Sequence, residues 1–457
     1  MIMRPRERRE TGQTDMFRAR LDQILNLEHE LVRLGRLIDW SFIEARCGQA
    51  YSDAPGQPPL PTRLMAGLAI LKHTYDLSDE ELCARWVENP YFQHFCGEEF
   101  FRHDLPFDRS SMTRWRQRMG EERLNALVQE SLAVAVKTKA MRPADLTEVI
   151  VDTTVQEKAV MFPTDAKLLD RARVRLVKLA SRCGVPLRQA YTRVGKLALI
   201  KHQRYAHAKQ FKRANRSLRT LKTYLGRVIR DIERKIKGRP DLNPVFRREL
   251  FNAGRVLAHK RGRRNRNDPP PAHAPLYSLH APEVECIGKG KAHRPYEFGV
   301  KVSVTTTLNP SRGGQFVLNA KALPGNPYDG HTLAPVIPAL EATTGAEVMR
   351  IIADAGYRGH GAPAPYDIRV YTAGQKRRMT PEIKRRMRRR SAVEPVIGHL
   401  KAEHRIGRNH LAHSAGDAIN AVLSAAGYNF RRLLAWLALW LALIVRTLRA
   451  NANPHPP

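Results

Sequence analysis

A long, strongly basic helical stretch between two strand-like regions constrains this chain more than any other feature. Residues 171–267 contain 30 Lys and Arg but only 4 Asp and Glu, so they carry +26 of the total net charge of +34. Apolar residues recur there in alternating steps of three and four, which predicts a short coiled-coil-like seam. These are Leu218, Leu221, Leu225, Val228 and Ile232. One face of the helix is therefore predicted to pack in this seam, while the other faces form a basic surface suited to phosphates. Any single charge could instead belong to an ordinary solvated face.

The charge balance of the whole chain indicates a polyanionic partner. The 457 residues include 78 Lys and Arg against 44 Asp and Glu. Nucleic acid is the first candidate, although ribosomal and membrane-surface proteins share such a balance. With 42% hydrophobic residues, the chain is globular and long enough for two or three domains.

Several other classes of protein are disfavoured. The five cysteines are scattered without a close pair, so neither a zinc site nor a disulfide framework is indicated, and a reducing cytoplasm fits. The amino-terminal arginines are not followed by an apolar segment, so no secretory signal is expected. The apolar run Leu433–Val445 is too short to span a bilayer and is predicted to be a packing helix.

Residues 16–135 have helical spacing, with a capping-box start at Ser78. After the turn-forming residues 106–111, a short basic segment carries Arg114, Arg116 and Arg118. This segment is predicted to be a recognition helix that enters a DNA groove. An ordinary amphipathic helix with solvated arginines is the alternative.

Strand-like segments place acids in unusual positions. Asp152 lies in the middle of a β-branched run, where burial requires either a cation or an arginine partner. A hairpin is predicted for 298–304 and 315–320, then a helix near 331–342 and a buried strand that ends at Asp354. A weaker strand at 368–371 precedes a long basic helix over 381–402 with Glu394. We expect Asp152 and Asp354 on adjacent strands, with Glu394 leaning in from the helix.

Three converging carboxylates suit a pair of Mg²⁺ ions, which take oxygen ligands and support in-line displacement at phosphorus. Each acid also has a simpler explanation. Glu394 could pair with Arg390 four residues earlier on the helix, and Asp354 could be only a turn residue before Gly356.

The residues around Glu394 resemble a known signature. Arg390, Glu394 and Lys401 have the spacing R-x₃-E-x₆-K, which is similar to the motif around the third acid of insertion-sequence DDE transposases. Other blocks resemble the insertion sequence family numbered five, namely residues 151–154, 289–299, 325–333 and 352–359. One departure is Met387, which stands where that family usually has a tyrosine.

The resemblance implies an α/β, RNase H-like mixed-sheet catalytic core with a helical amino-terminal domain and a basic helical insertion after the first core strand. It implies that Asp152, Asp354 and Glu394 hold two Mg²⁺ ions, for which Mn²⁺ can substitute. It also implies that Arg390 and Lys401 contact phosphates near the cut. Arg114, Arg116, Arg118 and Lys301 complete the expected DNA-binding set.

The expected activity is binding of terminal inverted repeats, hydrolysis at the element ends and joining of the 3′-OH to target DNA. The partners would be double-stranded DNA and a second copy of the chain in a synaptic complex, with no membrane and a cytoplasmic, nucleoid-associated location in bacteria. An RNase H-like nuclease or resolvase without strand transfer is one alternative. A catalytically inactive DNA-binding protein derived from a transposase is another.

The predicted domain boundaries follow the same pattern. We assign 1–140 to the helical DNA-binding domain, 141–165 to the first core strand and 166–270 to the basic insertion. Residues 271–430 complete the catalytic core, and 431–457 form the apolar helix and tail.

Overall fold

The computed structural model describes residues 19–51, 59–259, 275–290, 293–364, 366–377 and 379–452, and the side chains within them apart from 367, 368 and 440–452. The chain divides into two compact units, one formed by Met1–Lys158 with Val300–Pro457 and the other by Ala159–Gly299. The second unit contains the predicted insertion 166–270 and extends beyond it at both ends. The amino-terminal arginines and the predicted linker at 267–271 lie outside the described residues.

The chain combines many helices with one mixed sheet. The helices are α1 (Leu21–Ile24), α2 (Glu30–Leu37), α3 (Trp40–Gly48), α4 (Thr62–Thr74), α5 (Asp79–Glu88), α6 (Pro90–Phe95), α7 (Ser110–Lys137), α8 (Asp165–Arg182), α9 (Thr192–His207), α10 (Phe211–Ile236), α11 (Asn243–Leu257), α12 (Leu333–Thr344), α13 (Pro381–Met387), α14 (Val393–Glu403) and α15 (His413–Ala452). The strands are β1 (Glu148–Glu157), β2 (Glu285–Gly288), β3 (Tyr296–Thr307), β4 (Val317–Leu323), β5 (Arg350–Ala353) and β6 (Val370–Thr372).

The sheet of the first unit has the order β4-β3-β1-β5-β6. Strands β3 and β4 form the predicted antiparallel hairpin, with a register shift at Thr305/Thr306. Strand β5 runs parallel to both β1 and β6, and Ile150 lies opposite Ile352. The prediction that the strands of Asp152 and Asp354 are neighbours is therefore confirmed.

Alternation along β1 and β5 divides their side chains between the two faces of the sheet. Val149, Val151 and Ile351 belong to the main hydrophobic core. Ile150 and Ile352 belong instead to a small cluster on the other face, together with Val393 at the start of α14. Because side chains two residues apart share a face, Asp152 and Asp354 extend the face that α14 covers.

The amino-terminal helices form a core with α15. The predicted capping box is confirmed, since Ser78 caps α5 and Glu81 bonds back to it. Helix α15 packs against α4 and α7, and Leu433, Leu434 and Leu437 are buried, as expected for a packing helix. Among the described residues, no helix combines the length and the apolar character that crossing a membrane requires.

Two helices differ from their predicted form. The segment predicted to be a short recognition helix begins α7, which continues to Lys137 across a break at Gly120, where φ is 67°. The long helix predicted over 381–402 is interrupted by a 3₁₀ turn at Arg388–Ala392 between α13 and α14. The turn places Val393 against the sheet, which is a tertiary contact that local helical spacing does not record.

The second unit is a bundle of α8 to α11 with its own hydrophobic core. The predicted seam along α10 is confirmed, because Leu218, Leu221, Leu225, Val228 and Ile232 are all buried in it. In the same unit, β2 pairs antiparallel with residues 296–299 at the start of β3.

Candidate active site

Two aspartates lie side by side on neighbouring strands, Asp152 in the middle of β1 and Asp354 directly after the carboxyl end of β5. Asp152 is in β1, and its Oδ1 accepts a hydrogen bond of 2.7 Å from the backbone N–H of Thr153. Asp354 follows β5 directly and caps the 3₁₀ turn Ala355–Tyr357, where the N–H of Gly356 donates to Asp354 Oδ1 at 2.8 Å. The strands thus fix both backbones, while local hydrogen bonds orient both carboxylates.

A third carboxylate, that of Asp329, lies beside this pair. Asp329 is at the start of the 3₁₀ turn Asp329–Thr332 that leads into α12. Its Oδ1 accepts hydrogen bonds from Thr153 Oγ1 at 2.9 Å and from Lys301 Nζ at 3.0 Å. Lys301 also donates to the carbonyl oxygen of Pro327 at 2.7 Å, so it anchors the turn as well as the carboxylate.

Two carboxylates occupy the space beside Gly356, where a larger residue would have its side chain. A Cβ at this position would lie 3.0 Å from Asp354 Oδ1 and 3.2 Å from Asp329 Oδ2. Both acids therefore border the same small volume, and a larger residue at position 356 would displace at least one of them.

The electrostatics of Asp152 reflect this crowding. Burial, together with the negative charges of Asp354 and Asp329, raises the pKa of Asp152 to about 6. The hydrogen bond from Thr153 and the charge of Arg390 act in the opposite direction without restoring the ordinary value. The carboxylates are thus held together with too little positive charge to balance them.

Glu394 lies at the start of α14, one residue after the buried Val393. Its side chain is 62% exposed, and its Oε1 is 3.7 Å from a guanidinium nitrogen of Arg390. Because the charge of Arg390 also acts on Asp152, this arginine links Glu394 electrostatically to the aspartates. The i,i+4 pair that sequence spacing offered as an alternative is therefore present, next to the aspartates.

The donor chemistry of the site is that of hard divalent cations, since the aspartates offer oxygen ligands. Asp329 is already paired with Lys301, whereas Asp152 has acids as neighbours. Within the part of the chain that the structure describes, no three His, Cys, Asp or Glu side chains are close enough to hold one ion. Two carboxylates are oriented together, and the third ligand has to come from a movement of Glu394 or Asp329.

The other predicted DNA-binding residues have different surroundings. Arg114 is 67% exposed near the start of α7, and Arg118 lies over the ring of Tyr51. Arg116 is 5% exposed and makes two hydrogen bonds to Asp79, at 2.6 and 3.0 Å. Lys401 is partly buried in α14. Arg116 and Lys301 are therefore engaged inside the protein, whereas Arg114 faces solvent.

The pattern of carboxylates along the strands did not predict that Asp329 lies beside Asp152 and Asp354. It lies in a turn, not in or directly after a strand, so alternating spacing gives no sign of it. The available signal was the family-like block at 325–333, which contains Asp329.

Comparisons with known proteins found a matching family model and a curated relative. A family model described as "Transposase domain (DUF772)" matches residues 19–118. The "Uncharacterized protein ORF8 in nfe locus" of Rhizobium meliloti is 49% identical over 209 residues, which are 46% of this chain and all of that protein. No solved structure matches the chain significantly. The chain therefore belongs to the same family as this ORF8 protein, and its residues 19–118 match a transposase domain.

Proposed function

We propose that this transposase is a DDE enzyme of the insertion sequence family five type, with Asp152, Asp354 and Glu394 as its catalytic acids. It would bind the terminal inverted repeats of its element, hydrolyse the phosphodiester bond at each end and join the freed 3′-OH to target DNA. The observation that carries the proposal is the pairing of Asp152 and Asp354 on adjacent parallel strands, with their charge unbalanced.

The sheet supports an RNase H-like core. The order along the chain is a strand with an acid, a hairpin, a helix, a second strand with an acid and then a helix with Glu394. Between the first acid and the hairpin, the chain forms the basic helical unit. Open α/β sheets bind ligands at the carboxyl ends of their central strands. Asp354 follows the carboxyl end of β5, and Asp152 lies beside it on β1.

Two Mg²⁺ ions held by these acids would activate the attacking oxygen and stabilise the leaving oxygen. The protein's own residues position the DNA and balance its charge. Arg390 pairs with Glu394 and its charge also acts on Asp152, so a scissile phosphate that drew its guanidinium away would free Glu394 to turn toward the aspartates. Lys401, seven residues after Glu394 on α14, would hold a neighbouring phosphate.

Binding of double-stranded DNA is assigned to the basic surfaces. Residues 171–267 alone carry a net charge of +26, and the packed seam of α10 leaves the basic faces of that helix outside the core. Arg114 and Arg118 at the start of α7 would add contacts from the first unit. Two element ends have to be joined in one reaction, so we propose a homodimer in the synaptic complex.

The deciding experiment uses the DNA that flanks the gene on both sides. Fragments from each flank, intact or precut at the 3′ end, are incubated with the full chain, Mg²⁺ and a target plasmid. We expect cleavage of intact ends and joining of precut ends to the plasmid, with no reaction in EDTA.

The same assay separates the alternatives. Cleavage without joining would replace the proposal with an RNase H-like nuclease or resolvase. Binding without either reaction would indicate an inactive DNA-binding protein. Glu347→Gln, a change at a residue of the first unit whose side chain is 66% exposed, is the matched control and should react like the wild type.

A further inference from the structure

Helices α9 and α10 of the second unit form a groove between them. The lining residues of each helix recur at steps of three and four, so one face of each helix borders the groove. Its volume is about 420 Å³, which is within the range of pockets that hold small organic groups. The lining combines apolar, aromatic and basic side chains, among them Val194, Leu197, Lys201, Tyr205, Arg213 and Arg216.

Apolar and aromatic side chains of this groove are open to a ligand. Val194 and Leu197 are 45% and 48% exposed, and neither belongs to the buried core of the second unit. Tyr205 is only partly buried, and the guanidinium carbon of Arg213 lies 5.8 Å from the centre of its ring. Packing within the unit therefore does not use this surface, which a flat apolar group could cover.

The charge around the groove is positive. Lys201, Arg213 and Arg216 line it, and all three are exposed. Arg213 donates a hydrogen bond of 3.0 Å to the amide oxygen of Gln210, a neutral group that leaves the charge of the guanidinium unbalanced. Neither α9 nor the part of α10 before Asp231 contains an acid. A ligand that fits the groove therefore has to be anionic as well as apolar.

Double-stranded DNA matches only half of this surface. A duplex presents its phosphates outward and keeps its base faces stacked inside, so it would cover the cations but leave Leu197 and Tyr205 without a partner. An unpaired strand carries both chemistries, because its phosphates adjoin base faces that are free to stack on an aromatic ring or an apolar surface. A protein segment would need several acids beside its apolar residues to match the same groove.

We propose that the groove between α9 and α10 binds a short stretch of single-stranded DNA, with a base against Tyr205 and Leu197. Lys201, Arg213 and Arg216 would hold the flanking phosphates. This site goes beyond the double-stranded DNA assigned above to the basic faces of the same unit. It rests on the proposed function only in that the partner is DNA, because binding in the groove needs neither a metal ion nor cleavage.

The test compares the affinity of the full chain for two fluorescent DNAs by anisotropy in EDTA. One is an oligothymidylate of about 16 nucleotides, and the other is a duplex of the same length. Tyr205→Leu removes the aromatic ring but keeps an apolar residue that favours a helix. We expect it to weaken oligothymidylate binding by about fivefold or more, and Leu197→Gln to weaken it by about threefold. The duplex affinity of both variants should stay within about twofold of the wild type, since no cation is lost.

Arg247→Ala is the matched control, because it removes an exposed cation from a different groove, between α10 and α11. It should weaken the binding of both DNAs alike. Should Tyr205→Leu not fold, Leu197→Gln carries the test alone, since Leu197 is outside the core.

The wild type and the variants together distinguish the ways to fail. If the wild type binds the duplex but not the oligothymidylate, or if both groove variants bind the oligothymidylate like the wild type, the inference is overturned and the proposed function stands. The groove would then have to serve an acidic protein segment. If the wild type binds neither DNA, the assignment of DNA binding in the proposed function is overturned as well.

Discussion

Asp79 and Asp152 are partly buried acids of the same unit with opposite surroundings. Asp79 accepts hydrogen bonds from Arg116 and from Lys72, the latter at 2.5 Å. Burial alone would raise its pKa, but the hydrogen bonds and charges of Arg116 and Lys72 hold the pKa of Asp79 well below its ordinary value. Asp152 has other acids as neighbours, and its pKa rises to about 6.

The difference separates an acid that stabilises the fold from one whose burial the surrounding charges do not compensate. Asp79 belongs to an internal ion cluster of α4, α5 and α7, in which burial lowers the pKa of Lys72 to about 8. Removing one member leaves buried charge without a partner. Asp152 lacks such compensation, and perturbed acids of this kind occur most often at functional sites.

The largest expected effect is on DNA cleavage. Asp152→Asn, Asp354→Asn and Glu394→Gln should each lower the rate of end cleavage by at least about 1000-fold, because each removes a charge that the reaction needs. Binding to the end fragments, measured by gel shift, should persist in all three. Cleavage at a normal rate by any one of them would remove that residue from the catalytic set, and Asp79→Asn should cleave normally wherever it remains folded.

Asp79→Asn should have the largest effect on stability. It leaves Lys72 and Arg116 buried without their anion, and breaking a buried ion pair in this way costs about 3–5 kcal/mol. The free energy of unfolding from urea titrations would show the loss. A loss below about 1 kcal/mol would mean that solvent or Thr113, which Arg116 also contacts, replaces the carboxylate.

Asp152→Asn should have the opposite effect on stability, because it raises the free energy of unfolding at neutral pH. In the folded protein the pKa of Asp152 is raised from 3.8 to about 6, so the charged form opposes folding once the pH exceeds the ordinary value. Asp152 should therefore lower the stability of the wild type by up to about 3 kcal/mol between roughly pH 4 and pH 7, a contribution that the variant lacks. The raised pKa of Glu130 acts in the same direction in both proteins, so the comparison rests on the difference between them. Urea titrations without metal at pH 4 and pH 8 measure this. Equal pH dependence in both proteins would contradict the raised pKa.

The sequence pattern predicts the strands of this site but not the contacts between residues that are far apart in the chain. Alternation and β-branched residues predicted the β3–β4 hairpin and the adjacent strands of Asp152 and Asp354. Asp329 is held beside the aspartates by a hydrogen bond from Thr153, 176 residues earlier, and no local pattern records such a contact.

The arginines of α7 illustrate the same limit. Helical spacing and a basic composition are alike for Arg114 and Arg116, yet one is exposed and the other is paired with Asp79, 37 residues earlier. The 3₁₀ turn before α14 likewise follows from packing of Val393 on Ile150 and Ile352. In each case a tertiary contact decides what a local propensity leaves open.

The smallest expected effect is on DNA binding, where Arg114 and Arg116 should differ. Arg114→Ala removes an exposed cation, so it should weaken end binding a few-fold and reduce the slope of log affinity against log salt by about 1. The free energy of unfolding should stay within about 0.5 kcal/mol of the wild type, since the side chain is 67% exposed. Arg116→Ala should instead destabilise the fold and, at temperatures where it remains folded, leave the salt slope unchanged, because Asp79 already neutralises its charge. An unchanged slope in Arg114→Ala would take the start of α7 out of the DNA interface and leave the basic helices of the second unit as the main surface for phosphates.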